Sequence, residues 1–481
     1  MFHLSEKNKN RYPDHSFIFF ATLSIFLFAV LSECTIKENK EDIDSNQPNI
    51  LMILVDDLGY GDVGCYGGKN IPTPSIDRLA REGVRFTDAH VMCSVCGPSR
   101  VALLTGRYQQ RMGVYWNPDL WQRYNWGPPD SILILPQVMK KAGYVTGHIG
   151  KWNITQEALP YVDECYDLMN WKGAYYPNDT GTYLGVDSPD FYDEPNGWGP
   201  PEPGAEYLTD RLTRHAMEFI DNHQSAPFFL YLAYNAPHTP LQADIKYKEI
   251  FKHLENEPNR IYAGMVSSID ENIGKIMLKL EELGLTENTI VAFTSDNGPA
   301  YWRSYDRGWP EEWPLTLIGS AGDLRGNKGQ RYEGGHREPF IIRWPAELDP
   351  GQVYDKTTST LDLFPTFLSA ANRDVDADLN LDGVNLLPYI KGEKQDAPHD
   401  TLFWMTHNQG AVRAGDWKMI FSSEAEVQLF NLRDDLPEEK NLAMENPELV
   451  QQLLKAWKDW NQPFPLSASE QKKFSVDQGK K

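Results

Sequence analysis

Three polar segments of the chain follow apolar runs and carry side chains able to bind a metal or move a proton. Asp56-Asp57 follows Asn49–Val55 (NILMILV), Asn235 to His238 follows Pro227–Tyr234 (PFFLYLAY), and Ser295-Asp296-Asn297 follows Thr289–Thr294 (TIVAFT). In an open parallel sheet, ligands gather at the carboxyl ends of strands, so these segments are expected on one edge. Asp56, Asp57, Asp296 and Asn297 offer only oxygen ligands, which suit Ca2+ or Mg2+; zinc would want His or Cys. Taken singly, Asp-Asp or Asp-Asn-Gly is more often a turn or a helix cap. A second feature is Cys96, set just before Pro98 and a run of good helix formers. A helix N-terminus there would turn free N–H groups towards an anion beside the thiol. A lone Cys before Pro is more often structural.

These groups need a scaffold, and the spacing of apolar residues supplies one. The runs 49–55, 227–234, 289–294 and Pro339–Trp344 are apolar without alternation, as expected of strands buried on both faces. Further strands are expected at Val84–Ala89 and Tyr144–Ile149. Helices are expected at Ser75–Glu82, Pro98–Thr105, Leu135–Ala142, Ala205–Asn222 and Arg260–Leu283, the last closed by Gly284. Strands alternating with helices indicate a mostly parallel sheet covered on both faces. Residues 170–204 are rich in Gly, Pro, Tyr and Asp and read as a long insertion at the rim of a site. After about residue 395 the pattern changes to short strands (Thr401–Met405, Trp417–Phe421, Val427–Asn431) and one amphipathic helix, Pro447–Trp460. That suits a small α+β domain with an antiparallel sheet.

The segment Cys96-Gly97-Pro98-Ser99-Arg100, continued by Leu104-Thr105-Gly106-Arg107, resembles the signature of the type I, formylglycine-dependent sulfatases, Cys-x-Pro-Ser-Arg then Leu-Thr-Gly-Arg. Gly150-Lys151-Trp152 is similar to the family's Gly-Lys-Trp-His. Lys328-Gly329, Glu333-Gly334-Gly335 and Arg337-Glu338-Pro339 are similar to its Lys-Gly…Glu-Gly-Gly…Arg-x-Pro. The resemblance runs from about Asn49 to Asn441. It implies an alkaline-phosphatase-like α/β/α sandwich and hydrolysis of sulfate esters. It also implies oxidation of Cys96 to formylglycine, whose hydrate attacks sulfur with one hydroxyl and later expels sulfate using the other. A thiol in that role would be left as a stable adduct. Asp56, Asp57, Asp296 and Asn297 become the ligands of one Ca2+, completed by modified Cys96. Arg100, Lys151, His238 and Lys328 become the groups that bind sulfate and steady the leaving oxygen, with His238 or Lys328 giving it a proton. One position departs from the pattern: Asn153 stands where the family carries His, and Asn cannot take a proton. Water or His148 could serve as base instead; the other reading is a slowed enzyme or a degenerate sulfated-glycan-binding protein. A phosphate or phosphonate ester hydrolase on the same fold is the rival reaction. Asn153, Arg337 and His407 are candidate substrate contacts.

Composition narrows the partners. A net charge of −22 argues against nucleic acid but leaves room for a local cationic pocket. Lys7, Lys9 and Arg11 precede an apolar run, Phe17–Leu31, too short for a comfortable membrane span and suited to a signal peptide over residues 1–33. Leu31-Ser32-Glu33-Cys34 resembles a bacterial lipoprotein box, with Cys34 lipidated and residues 34–47 a polar tether. The chain is therefore expected to be exported, as a cell-surface or periplasmic lipoprotein or otherwise secreted. A catalytic domain is expected over 48–395, an α+β subdomain over 396–465 and a polar tail over 466–481. With Cys34 and Cys96 spoken for, three cysteines remain, which allows one disulfide at most. The implied partners are a sulfated carbohydrate substrate and a formylglycine-generating or anaerobic sulfatase-maturating enzyme. Aromatic content and export together point to sulfated polysaccharides or their oligosaccharides.

Overall fold

The computed structural model describes residues 47–118, 126–155, 158–169, 206–302, 316–374, 376–406, 409–422 and 425–461. The expected signal peptide, Cys34, nearly all of the tether, the 170–204 insertion, His407 and the polar tail lie outside the described residues.

Eight strands form the main sheet: β1 (Asn49–Val55), β2 (Val84–Phe86), β3 (Val145–Lys151), β4 (Glu164–Met169), β5 (Phe228–Ala233), β6 (Thr289–Ser295), β7 (Phe340–Arg343) and β8 (Gln352–Tyr354). Their spatial order is β8-β2-β7-β6-β1-β5-β3-β4. β1 sits centrally and pairs in parallel with β5 and β6, for example Ile53 with Leu232 and with Phe293. The sheet is mostly parallel, as the unbroken apolar runs required. The exception is β7, antiparallel to both β6 and β2. Its sequence is as apolar as the others, so burial pattern alone does not reveal direction.

Alternate residues of β1 feed two cores. Leu51, Ile53 and Val55 join one cluster, and Ile50, Met52 and Leu54 the other. The first is covered by α1 (Pro74–Glu82), with α4 and α5 below; the second by α2 (Cys96–Thr105), α3 (Leu135–Lys141) and α6 below. Here α4 is Leu208–His223, α5 Glu257–Glu282 and α6 Leu363–Ala370. The architecture is the alkaline-phosphatase-like α/β/α sandwich. The edge strands β4 and β8 escaped the sequence reading because they are only half buried and lack a continuous apolar run.

Four antiparallel strands follow, β9 (Thr401–Thr406), β10 (Gln409–Ala414), β11 (Trp417–Ser422) and β12 (Gln428–Asn431), with α7 (Pro447–Trp460) against them. β10 was not foreseen: QGAVRA is poor in β-branched and aromatic residues. Described cysteines Cys65, Cys93, Cys96 and Cys165 are all free thiols.

A buried ionic network fastens this small sheet to the sandwich. Lys418 Nζ lies 2.9 Å from Glu333 Oε1 and 2.9 Å from Glu438 Oε1. Arg413 grips Asp88 with two bonds of 2.6 and 2.7 Å and also reaches Glu333 at 3.1 Å. His90 and His336 face each other Nδ1 to Nδ1 at 3.1 Å, so at least one ring keeps a bare nitrogen as acceptor. Burial would raise the Glu333 carboxyl, but Lys418 and Arg413 outweigh it and hold it well below its ordinary range. Such a network resists the loss of one member more than it adds net stability. Lys418→Met leaves Glu438 without its cation and should cost about 3–5 kcal/mol in denaturant unfolding. Glu333 is depressed in the folded state, so its contribution is full above the ordinary carboxylate range and fades as pH falls below it. The gap between wild type and Lys418→Met should therefore narrow from pH 7 to pH 4.

Candidate active site

The carboxyl ends of β1, β5 and β6 converge at one point, with the start of α2 opposite. Successive side chains on a strand alternate faces, so two adjacent aspartates would normally diverge. Asp57 escapes this by adopting a left-handed backbone (φ 67°), which Asp tolerates better than most residues. Ligand atoms of Asp56, Asp57 and His238 consequently lie within 4.8 Å of one another, as do those of Asp56, Cys96 and Asp296. All five side chains are buried.

Three cations balance the three carboxylates. Arg100, one turn into α2, bonds Asp296 Oδ2 through Nε at 2.8 Å and the Lys151 carbonyl through Nη1 at 2.7 Å. Lys151, at the end of β3, is ion-paired to Asp56 Oδ2. Lys328 Nζ sits 2.6 Å from Asp57 Oδ1, which also accepts from Asn297 Nδ2 at 2.7 Å. The carboxylates respond differently. Asp56 is lowered well below its usual value: burial acts to raise it, but Lys151, His238, Arg100 and Lys328 together prevail. Asp57 is raised by burial, with Lys328 opposing. Asp296 is pushed up to about 7 by burial and by the neighbouring Asp56 charge.

The residues fit a divalent cation. Asp56 Oδ1, Asp57 Oδ2 and Asn297 Oδ1 are buried oxygens without a hydrogen-bond partner. Orphaned acceptors of this kind are costly unless a cation takes them up. With a divalent ion added, the balance of three cations and three carboxylates turns positive, which suits an anionic substrate group.

Cys96 is the first residue of α2, two positions earlier than Pro98 suggested. Its Sγ lies 3.5 Å from Asn117 Nδ2, and Asn117 Oδ1 accepts from Gly97 N at 3.0 Å. Asn117 was not foreseen, because nothing in its local sequence marks it. Gly97 is needed for space: a Cβ there would stand 2.5 Å from Trp126 and 2.7 Å from Asn117 Oδ1. Asn153 also borders this point, its Oδ1 3.2 Å from the same position, and it holds a left-handed backbone (φ 54°). His238 accepts no role for Nδ1 in the site, since that atom meets the Thr239 carbonyl at 2.7 Å; Nε2 turns inward, 3.8 Å from Asp57 Oδ2. Burial pushes the His238 imidazole well below its ordinary value.

Two expectations are not met by this geometry. Arg337 is committed elsewhere, to the Thr87 carbonyl at 2.8 Å and to Glu333 and Asp88 at 3.3 and 3.4 Å. It belongs to the ionic network that fastens the small sheet. His148 is fully buried against Trp152 and Tyr231, its Nε2 is 3.1 Å from the Gly150 carbonyl, and burial pushes its pKa down to about 3, which makes it a weak base.

Residues 48–373 match the family model described as "Sulfatase", and residues 327–461 that of the N-sulphoglucosamine sulphohydrolase C-terminal region. The chain belongs to the sulfatase family. It is a sulfuric ester hydrolase. Human N-acetylgalactosamine-6-sulfatase is 34% identical, over 77% of this chain and 72% of its own length. The uncharacterized sulfatase YdeN of Escherichia coli (strain K12) is 31% identical, over 89% and 88%. The crystal structure of Ps i-CgsB in complex with k-i-k-neocarrahexaose superposes with a TM-score of 0.76 at 31% identity, covering 90% of this chain and 98% of that one.

The raised Asp57 and Asp296 carboxyls bear on metal uptake by this sulfatase. Each must lose its proton before it can ligate, so cation affinity should rise with pH. In the metal-free protein the raised Asp296 carboxyl favours the folded state at low pH and loses that effect as pH climbs through about 7. The rise in melting temperature on adding Ca2+ to chelated protein should accordingly be larger at pH 8 than at pH 5. An equal rise at both would contradict the assignment of these carboxylates.

Proposed function

We propose that the chain releases sulfate from sulfated polysaccharides or their oligosaccharides, using formylglycine made from Cys96 and one Ca2+ held by Asp56, Asp57, Asp296 and Asn297. The observation that carries this reading is the meeting of Cys96, Asp56 and Asp296 ligand atoms within 4.8 Å at the first turn of a helix. Magnesium would satisfy the same donor type. Calcium is preferred because four side chains and a modified residue suit its larger, more flexible shell. The hydrated formylglycine supplies a hydroxyl nucleophile with a second hydroxyl beside it, and the cation supplies fixed positive charge.

The chain's own residues do the rest. Arg100 and Lys151 have no access to solvent and hold Asp296 and Asp56 in place. Free N–H groups at the start of α2 and the Lys328 ammonium favour the sulfate oxygens. Desolvation opposes the charge on Lys328, but the Asp57, Asp56 and Asp296 carboxylates outweigh it and keep the ammonium protonated, fit to steady the leaving oxygen. His238 directs Nε2 inward; an incoming anion favours its protonated form, which can then give that proton to the alcohol. Asn117 and Asn153 offer hydrogen bonds beside the modified residue but cannot accept its proton. Regeneration of the aldehyde therefore depends on solvent or on His238 once it has given up its proton.

Support for a carbohydrate substrate comes from two relatives. One was crystallised with k-i-k-neocarrahexaose, and the other is named for N-acetylgalactosamine 6-sulfate chemistry. Export through the N-terminal signal, with lipidation at Cys34, would place the enzyme where such polymers are met; maturation of Cys96 needs a formylglycine-generating or anaerobic sulfatase-maturating enzyme in the host. Among the described residues no helix is long and apolar enough to cross a membrane.

Protein made in a host with such a maturase should carry the aldehyde at residue 96 by mass spectrometry and release sulfate from at least one member of a sulfated-glycan panel. A persistent thiol would sink the mechanism, and a large preference for aryl phosphate over aryl sulfate would favour the phosphate-ester reading. Lys328→Ala should lower kcat by roughly 10²- to 10³-fold. His tolerates the left-handed backbone of residue 153. Asn153→His should raise steady-state kcat, because a base beside residue 96 would take the proton of the remaining hydroxyl when sulfate is expelled.

A further inference from the structure

Asn117 touches the side chain of residue 96 from a segment that carries no motif. Its amide makes two bonds at the start of α2: Oδ1 accepts from the Gly97 N–H at 3.0 Å, and Nδ2 donates to Cys96 Sγ at 3.5 Å. The first bond dictates the second. Gly97 N lies in the first turn of the helix, where a backbone N–H has no carbonyl to meet within the helix, and it can only donate. The amide oxygen is therefore turned to Gly97, and the NH2 group is left facing residue 96. Sγ stands 3.9 Å from Oδ1, the farther of the two amide atoms. The segment is held from two sides. Trp126 Nε1 donates to the Trp116 carbonyl at 3.2 Å, and its ring lies so near Gly97 that a Cβ there would stand 2.5 Å from it. Trp116 meets the loop of Lys328: a Cβ on Gly329 would lie 3.5 Å from its ring. Asn117 is thus a placed donor on the wall of the site.

We propose that Asn117 is a catalytic residue for the second half of the reaction, donating from Nδ2 to the oxygen that stays on residue 96 while sulfate is expelled. This rests on the reading of Cys96 as the precursor of formylglycine, with Sγ standing where an oxygen of the hydrate would be. In that half-reaction the hydroxyl left on residue 96 gives its proton to solvent. The O–H electron pair becomes the second bond of the aldehyde C=O, and the C–O bond to sulfate breaks, its pair leaving with sulfate. Negative charge builds on the remaining oxygen as the proton departs. A donor already fixed in place by Gly97 stabilises that charge without having to reorganise. Attack on sulfur uses the other hydroxyl and makes no such demand on Asn117. Asn153 cannot take the proton, so the step falls to solvent, a weak base, and a donor that steadies the product of proton loss offsets part of that deficit.

The test uses the full chain matured in a host with a formylglycine-forming enzyme, and para-nitrophenyl sulfate as probe. Release of nitrophenol reports formation of the sulfated adduct on residue 96. Intact-mass spectrometry of rapidly quenched protein follows the adduct as it forms and is lost. Asn117→Ala should slow loss of the adduct roughly 10²-fold, the scale expected for removing one donor from a developing oxyanion. The first release of nitrophenol should change little, so sulfated protein accumulates in the variant. Asn117→Ser, whose side chain is too short to reach residue 96, should behave in the same way if the alanine variant does not fold. A residue that only shapes the loop would slow both steps together and leave no adduct to accumulate. That result overturns the proposal, and so does an adduct lost as fast from the variants as from wild type, or failure of both variants to fold. If wild type keeps a thiol at residue 96 or releases no nitrophenol, the formylglycine reading fails first and the proposal falls with it, an outcome told apart by that control.

Discussion

Like charges brought together away from water set the terms for this protein. Asp56, Asp57 and Asp296 are delivered by the ends of adjacent parallel strands, buried, and within a few ångströms of each other. Their repulsion and desolvation would be prohibitive without compensation. Arg100, Lys151 and Lys328 provide it, each from a different element: a helix one turn past Cys96, the end of β3 and a loop after β6. The compensation is incomplete by design of the geometry, since three buried oxygens are left without hydrogen bonds. A cation resolves that shortfall and converts a neutral cluster into an electropositive one. Anion recognition and metal uptake are in this sense one electrostatic problem.

The same logic recurs where the small sheet meets the sandwich. Glu333, Glu438 and Asp88 are buried and paired with Lys418, Arg413 and Arg337, while His90 and His336 bridge neutral. Here the charges are matched and their hydrogen bonds are largely made, so the result is a fastening. Trp404 reinforces it, stacked on His336 and donating to the Val91 carbonyl at 2.8 Å. Glu333 opens the short helical turn that precedes β7, so the network and the catalytic edge share one stretch of chain. Arg337 is drawn into the network for this reason, although its place in the sequence suggested a substrate contact.

Much of the fold was legible because it follows from burial. A central strand covered on both faces is expected to be apolar through its middle, and β1, β5 and β6 are. The ligand carboxylates were legible for the same reason: they stand within two residues of the ends of those runs. The edge strands β4 and β8 were not, since half-exposed strands need no continuous pattern. Nor was the direction of β7, because hydrophobicity is blind to strand polarity. Asn117 could not have been found either; it reaches Cys96 across 21 residues of chain with no periodic or motif signal.

What the sequence determined by itself is the inventory: a Cys96 motif, an all-oxygen ligand set, and the cations that accompany them. Residue types and their spacing along a single segment suffice for that. What only the tertiary structure decided is which of these groups share a neighbourhood, and in what electrical state. It made His148 a weak base by burying it against Trp152, and it gave Arg337 to a different cluster. Those outcomes depend on contacts between residues far apart in the chain, and on how little water reaches them, neither of which a local pattern encodes.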